Sequence, residues 1–267
     1  MIDVLFPQGI DPFAGLPMAV IAMVVVIYFM AFILRGAIGF GSVTPTVLLT
    51  SWVLEPHHAV LLALTTTVAA QGQLLPEGFR NGDWKITWPI LAAISITIVA
   101  GIFVFIRLNA NWLTLIIGVV MCWTVFMEYR KLLERLGKYI DMRAPRNAFA
   151  LASVSGLIAG TVGAGGMLFL AVYLKLACET AQKLRATALL VSGLFMIWRF
   201  LVALGAGLIS SNLILEAILL LPAIYLGGWI GIKFFQSLTD ERFFRLFQLF
   251  LMVMAVGLVA KGLLQIL

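Results

Sequence analysis

Two glycine-rich stretches, each set within apolar sequence, are the parts of this chain best suited to bind a ligand. They read RGAIGFGSVTPTVLLTSW at 35–52 and SGLIAGTVGAGGMLFLAVYLK at 155–175. A shift of 124 positions superposes Gly36 on Gly160 and Gly41 on Gly165. In lipid, a helix break exposes backbone N–H and C=O groups that need protein or a polar cavity to cover them. The repeated pattern therefore predicts one site built from two breaks.

The chemistry expected at the breaks is anion binding. The N-terminus of a half-helix carries free N–H groups with partial positive charge, which bind anionic oxygens, and glycine lets a ligand approach the backbone closely. The alternative is that these glycines serve only close helix packing. On the first interpretation, the substrate-binding residues that follow the breaks are Gly41, Ser42, Thr44, Gly165 and Gly166.

Two arginines in apolar surroundings are further candidates to bind an anion. Arg199 is the only charged residue in LLVSGLFMIWRFLVALG at 189–205, where an arginine costs about 2.5–3.5 kcal/mol unless it meets a cavity or a partner. Arg35 stands beside the first break. Each also has an alternative, because a long basic side chain can extend to the membrane interface.

Polar uncharged side chains complete the candidate set. Thr66, Thr187, Ser192 and Gln71 have groups that replace water around oxyanion oxygens, although a hydroxyl in an apolar helix also bonds to the preceding turn. His57 and His58 follow Pro56 and fit a loop, and a proton-coupling role for His58 stays open. No third ligand has zinc spacing, so we predict no metal and no cofactor.

Composition sets the class of protein. The 267 residues are 63% hydrophobic and 11% charged, with a mean hydropathy of +1.09, which is typical of an integral membrane protein. The net charge of +6 is not gathered in a nucleic-acid-binding patch.

The two cysteines form no CxxC pair, so neither a disulfide framework nor a thiol relay is indicated. Without HExxH, paired carboxylates or a Ser/His/Asp grouping, we do not expect an enzyme.

The apolar segments predict an all-α membrane protein built from two inverted repeats of about five segments each. We divide the chain into a leader (1–16), a first transmembrane repeat (17–127), a cytoplasmic hinge (128–146) and a second repeat (147–267). Glycine-broken helices or re-entrant hairpins are expected at the first two segments of each repeat, and a turn with an Asn-Gly signal at 76–85.

Positive charge predicts the orientation. One assignment of the loops places 14 of the 18 lysines and arginines on one side, which would be the cytoplasmic side. Both termini then lie outside, and the two halves enter the membrane from opposite faces. Inverted repeats with discontinuous helices are typical of secondary transporters.

Several of these motifs together resemble the TauE/SafE family of sulfite and sulfonate exporters, also grouped as 4-toluenesulfonate uptake permeases. The resemblance rests on the GFG and GAGG breaks and on three longer stretches. The chain departs from the family pattern at Ser42, Val43, Met167 and Pro45. The longer stretches are AVLLALTTT at 59–67, LRATALLVSG at 184–193 and LPAIYLGGWIGIKFFQSLTDERFFRLFQLFLMV at 221–253.

The resemblance implies a secondary transporter of a small organic or sulfur-containing anion, such as sulfite, a sulfonate or a sulfoacetate-like compound. Alternating access is the expected mechanism, and a passive anion channel of the same architecture is the alternative. The implied location is the inner or plasma membrane. The expected partners are the anion and the lipid bilayer, and a homo-oligomer stays open.

Overall fold

The computed structural model describes residues 12–38, 41–130, 132, 145–233 and 241–267, and these residues form helices joined by short connections, with no strand among them. The all-α prediction is confirmed. The helices are α1 (Met18–Ile38), α2 (Val43–Thr50), α3 (Pro56–Ala69), α4 (Gln71–Asn81), α5 (Trp84–Arg107), α6 (Ala110–Tyr129), α7 (Pro145–Thr161), α8 (Gly166–Ala177), α9 (Ala181–Gly205), α10 (Ser211–Lys233) and α11 (Glu241–Ile266).

Among the described residues, six helices are long and apolar enough to cross a membrane, namely α1, α5, α6, α9, α10 and α11. A seventh span is formed if α3 and α4 are taken together, since they meet at a bend of 58°. The protein is therefore a multi-pass membrane protein. α2 has 8 residues and α8 has 12, both too short to span the hydrocarbon core, which takes about 20.

The connection between α4 and α5 differs from the turn predicted over 76–85. That prediction was wrong for eight of its ten residues, because α4 continues through Pro76 to Asn81 and α5 already begins at Trp84. The N–H of Gly82 donates to the carbonyl of Gly78 at 2.8 Å, which closes the helix end. The Asn-Gly signal thus marks where the helix ends, and the reversal itself takes only Gly82 and Asp83.

Long helices of the first half pair with long helices of the second half. α1 packs along α10, α5 along α7, and α6 along α11. Gly36 faces the backbone of Gly228, and Gly101 faces the backbone of Gly160. A methyl group at Gly36, Gly101 or Gly160 would overlap backbone atoms of the facing helix, and one at Gly228 would crowd a neighbouring side chain. Such contacts let two helices touch backbone to backbone. The two halves are therefore interleaved.

The chain turns sharply at both glycine-rich stretches. Gly41 has φ +96°, Gly163 has φ +85° and Gly165 has φ +84°, a left-handed conformation that costs other L-residues about 1–2 kcal/mol. Gly41 lies two residues before the start of α2, and Gly165 lies one residue before the start of α8. With the shift of 124 positions, the two short helices begin within one residue of each other.

Asp83 joins the first turns of α5 and α9. Its carboxylate accepts hydrogen bonds from the N–H groups of Lys85 and Ile86 and pairs with Lys183 at 3.2 Å, while its own N–H donates to the Thr187 hydroxyl at 3.0 Å. Burial acts to raise the pKa of Asp83, but the bonds from Lys183 and the two N–H groups outweigh it, so the pKa lies below its usual value. Asp83 is therefore ionised at neutral pH and holds this end of the molecule together.

A central cavity at the two helix breaks

Both helix breaks open on the same cavity. It has an empty volume of about 480 Å³, part of which is continuous with solvent. Its walls come from α1, α2, α3, α4, α7, α8 and α9. The residues that line it are Arg35, Gly41, Ser42, Val43, Thr44, Thr67, Gln71, Ala159, Gly163, Ala164, Gly165, Gly166, Met167, Ser192, Phe195 and Met196.

Arg35 supplies a positive charge to the cavity. Its side chain is 4% exposed, with Nη2 donating to Gln71 Oε1 at 2.9 Å and Nη1 donating to the Thr67 carbonyl at 3.3 Å. The guanidinium also lies 5.4 Å from the centre of the Phe32 ring. Within the described part of the chain no carboxylate pairs with it. Its partners are neutral, so the charge remains available to a ligand.

Two buried hydroxyl groups in the cavity wall have no hydrogen-bond partner among the residues that the structure describes. They are Ser42 Oγ and Thr67 Oγ1. An unsatisfied buried polar group costs about 1–3 kcal/mol, so native proteins generally satisfy such groups with water or a ligand. Both hydroxyls are able to donate a hydrogen bond. Together with Arg35 they form a set of donors directed at one space.

The N-termini of α2 and α8 add backbone donors. Ser42 stands at the cap of α2 and Gly165 at the cap of α8, and in neither case does a side chain cap the helix. The first N–H groups of a helix have no partner within the helix, and they favour a negative charge. Both helix starts lie in the cavity wall, so the two breaks direct partial positive charge toward the same space.

The cavity lies beside the middle of one of the candidate membrane-spanning helices, α9. Ser192 lines it from near the centre of α9, a helix of 25 residues. Gln71 lines it at the bend between α3 and α4. Transporters built from broken helices hold their substrates at this depth.

Of the residues predicted to bind the substrate, the structure brings eight together in the cavity wall and places three elsewhere. Thr66 donates to the Leu62 carbonyl at 2.6 Å in its own helix, and Thr187 accepts from the Asp83 N–H. The eight in the wall are Arg35, Gly41, Ser42, Thr44, Gln71, Gly165, Gly166 and Ser192.

Arg199 is the third residue outside the wall. It is 1% exposed, so its side chain does not extend to the surface. Its Nη1 donates to the Gly163 carbonyl at 3.4 Å, and its Nε has no partner. Gly163 itself lines the cavity. Arg199 therefore lies directly behind the second break, with one backbone loop between its charge and the cavity.

Sequence reasoning did not select Thr67, Gly163 or Glu216. Three consecutive threonines at 65–67 offered no means to choose the one that faces the cavity. Glu216 had a clearer signal, because it is the only acidic residue in the apolar sequence of α10 and an ionisable residue in a membrane span points to function. It lies outside this cavity and is buried, with 2% exposure.

A multi-pass helical protein with an electropositive cavity between two helix breaks has the architecture of a membrane transporter. The family model described as Sulfite exporter TauE/SafE matches residues 23–258 of the chain. The chain belongs to this family of membrane transporters. No curated protein and no solved structure matches it.

Proposed function

We propose that the protein is a secondary transporter of a small organic or sulfur-containing anion, such as sulfite, a sulfonate or a sulfoacetate-like compound. One observation carries the proposal. A buried guanidinium without a carboxylate partner, two hydroxyls without partners and two helix N-termini face the same cavity. The family supports the same conclusion, since its description names sulfite export.

The donor set suits a sulfur oxyanion for geometric reasons. The oxygens of sulfite or a sulfonate point in three directions from sulfur, so they need donors from several sides. A guanidinium binds two oxygens through its planar fork. The Ser42 and Thr67 hydroxyls and the N–H groups of the breaks are placed to bind the third. The glycines at the breaks leave room for an oxygen close to the backbone.

Arg199 acts on the anion through the second break. Its bond to the Gly163 carbonyl directs that carbonyl toward the guanidinium and away from an anion in the cavity. Its charge also makes the potential behind the loop positive. In this proposal Arg35 contacts the anion and Arg199 positions the loop that contacts it.

The way in which the halves are paired supports alternating access. Suppose that α1 of the first half corresponds to α7 of the second, α5 to α10, and α6 to α11. Exchanging the two halves then turns the α1–α10 pair into the α7–α5 pair and leaves the α6–α11 pair unchanged. A two-fold relation between inverted repeats has this property. We propose that the halves rock about this relation and open the cavity to each side in turn.

The remaining assignments belong to the same proposal. The ends marked by Lys85 and Lys183 face the cytoplasm, both termini lie outside, and the membrane is the inner or plasma membrane. The protein is a carrier and not an enzyme. It functions in the bilayer, as a single chain or as a homo-oligomer.

The test is a thermal-unfolding screen of purified protein with sulfite, sulfate, taurine, sulfoacetate, 4-toluenesulfonate and simple carboxylates. A ligand that binds only the folded state at about 100 times its Kd adds about 2.7 kcal/mol to the unfolding free energy. Arg35→Ala removes a charged hydrogen bond worth about 1.5–3 kcal/mol, so anion affinity should fall about 10- to 100-fold. Arg107→Ala is the matched control, since Arg107 is exposed at the far end of α5.

Stabilisation by one class of anion, lost in Arg35→Ala and kept in Arg107→Ala, is the expected result. Equal stabilisation of the Arg35→Ala protein, or none of the wild-type protein by any anion, would remove the basis of the proposal. Counterflow in proteoliposomes then separates the carrier from the alternative, a passive channel. A carrier exchanges labelled anion against unlabelled anion with saturable kinetics, whereas a channel shows no counterflow.

A further inference from the structure

A second buried polar site joins α3 to α10, away from the central cavity. His58 Nε2 lies 2.5 Å from Glu216 Oε2. The Glu216 side chain is 3% exposed and the His58 side chain is 33% exposed. Within the described residues neither of these two atoms has a hydrogen-bond partner, so they meet at ion-pair distance without hydrogen-bond geometry. The carboxylate is thus sealed inside the protein, while the imidazole beside it remains in contact with the outside.

The groups around this contact leave Glu216 with one source of positive charge. Its Oε1 accepts a hydrogen bond from the backbone N–H of Phe13 at 2.9 Å. From α1, the buried Tyr28 hydroxyl is close enough to be affected by the Glu216 charge. The pocket beside the pair is lined by Glu55, Ser210, Asn212 and apolar residues, and His57 binds Glu55 at 3.0 Å. Within the described residues, the only cation that Glu216 can meet here is protonated His58.

The surroundings of Glu216 are otherwise apolar. Leu213, Ala217 and Leu220 of α10 pack with residues of α1 and α3 in one buried cluster, which includes Tyr28, Phe32 and Leu62. An uncompensated carboxylate in such surroundings is costly, and membrane proteins place such groups on ion and proton pathways. A proton shared between His58 and Glu216 removes this cost.

We propose that His58 and Glu216 form a proton-binding site and that the proton is transported together with the anion. This inference rests on the proposed transport function. One proton enters from the water in the adjacent pocket, binds between Nε2 and Oε2, and is later released from the same atoms to water on the other side. No electron moves, and the only bond made or broken is that to the proton.

The proton controls how firmly α3 is held. With the proton bound, imidazolium and carboxylate attract each other and join α3 to α10 and to the backbone at Phe13. When the pH rises and the proton leaves, a neutral imidazole faces an uncompensated buried carboxylate, and the link weakens.

Helix α3 connects this site to the anion cavity. His58 is in its first turn, Thr67 is near its last turn, and Gln71 follows the bend. At about 1.5 Å per residue, His58 and Thr67 lie about 14 Å apart along one continuous helix. Movement of α3 at His58 therefore shifts Thr67 and Gln71, which are both partners of Arg35. Helix α3 is thus part of both sites, and binding at either site changes the position that α3 favours.

Because coupling is reciprocal, proton binding must change anion affinity by the same factor by which the anion changes proton affinity.

The probes are sulfate and 4-toluenesulfonate, which keep their charge over the range of about pH 5 to 8 in which histidine titrates. For wild-type protein we expect affinity to be about tenfold higher at the acidic end of this range. For Glu216→Gln, which keeps an acceptor for the Phe13 N–H, we expect affinity to be independent of pH.

His58→Asn is the second variant and should show the same loss of pH dependence, so the test survives if Glu216→Gln does not fold. His57→Asn is the matched control, since it alters the neighbouring imidazole that binds Glu55, and it should keep the wild-type pH dependence. In proteoliposomes, an inward proton gradient should drive accumulation of the anion by the wild-type and His57→Asn proteins. Glu216→Gln should exchange anions but not accumulate them.

The outcomes separate this inference from the proposed function. Anion binding by wild-type protein that does not strengthen as the pH falls overturns the proton site and leaves the anion transporter intact. An unchanged pH dependence in both Glu216→Gln and His58→Asn does the same. Failure of the wild-type protein to bind either probe, or any anion of the wider screen, overturns both proposals.

Discussion

At the scale of single residues, the cavity keeps its charge because its arginines bind neutral partners. Arg35 donates to an amide oxygen and a backbone carbonyl, and Arg199 donates to a backbone carbonyl. A carboxylate in either place would neutralise the guanidinium and compete with an anionic ligand. Amide and carbonyl oxygens orient a guanidinium without cancelling its charge.

Arg199 gives a prediction at this scale that separates charge from shape. Arg199→Gln should lower anion affinity about tenfold, since both the charge and the hold on the Gly163 carbonyl are lost, a change of about 1.4 kcal/mol. Arg199→Lys should keep most of the affinity because it keeps the charge. Titration of the best anion from the screen, with the unfolding temperature recorded for each variant, measures the effect. Wild-type affinity in a folded Arg199→Gln protein would show that Arg199 has only a structural role.

The sequence predicts some of these residues well and others poorly, for physical reasons. A charged residue in an apolar run is conspicuous because burying it is costly, and this holds for Arg35, Arg199 and Glu216. The choice of Thr66 over Thr67 had no such basis. Adjacent residues of a helix point about 100° apart, so the face that meets the cavity depends on how α3 is rotated, which only packing decides.

At the scale of helices, α4 shows how packing supports a segment whose composition is unfavourable for a helix. It contains Pro76 and three polar or glycine residues in its first turn, and it bends away from α3. Gly78 brings it against the backbone of Leu190 in α9. The position of α4 is therefore determined by its close contact with α9. A local turn signal in the sequence could not reveal that contact.

Two glycines of α4 provide a matched pair of substitutions. A methyl group at Gly78 would lie 2.7 Å from Leu190 N, so Gly78→Ala should lower the unfolding free energy by about 1–3 kcal/mol through overpacking. At Gly72 the nearest atom would be the Tyr225 hydroxyl at 3.8 Å. Gly72→Ala should therefore be neutral, or stabilising by up to about 1 kcal/mol through helix propensity.

Thermal and denaturant unfolding of the two purified variants in the same detergent measures this difference. Equal stability of Gly78→Ala and Gly72→Ala would mean that α4 is not pressed against α9 in solution.

At the scale of the whole molecule, the described helices of the two halves resemble each other in their order around the glycine breaks, but they also differ. Both halves have a break followed by a short helix, but the segment after it is bent in the first half, at α3–α4, and continuous in the second, at α9. The number and order of segments could be predicted from apolar runs and glycines. The pairing of α1 with α10 and of α5 with α7 could not, because it depends on contacts between residues far apart in the chain.

Orientation in the membrane gives a prediction that uses the two ends of α5. In a protein lacking Cys122 and Cys178, Arg107→Cys should react with a membrane-impermeant maleimide added to intact cells. Lys85→Cys should react only after the membrane is permeabilised, because the proposed topology places the basic side in the cytoplasm. Both positions are exposed, so access is decided by the membrane alone. The reverse pattern of labelling would invert the proposed topology.

The interleaving of the halves also bears on how the chain is made. Among the described helices, α1 is the first to be synthesised, yet the helix along which it packs, Ser211–Lys233, is the second to last. The faces of α1 and α5 that pack against the second half are therefore exposed to lipid until the second half has been inserted. Maturation depends on late translation, and two separately expressed halves should each be unstable alone and become stable only when they are produced together.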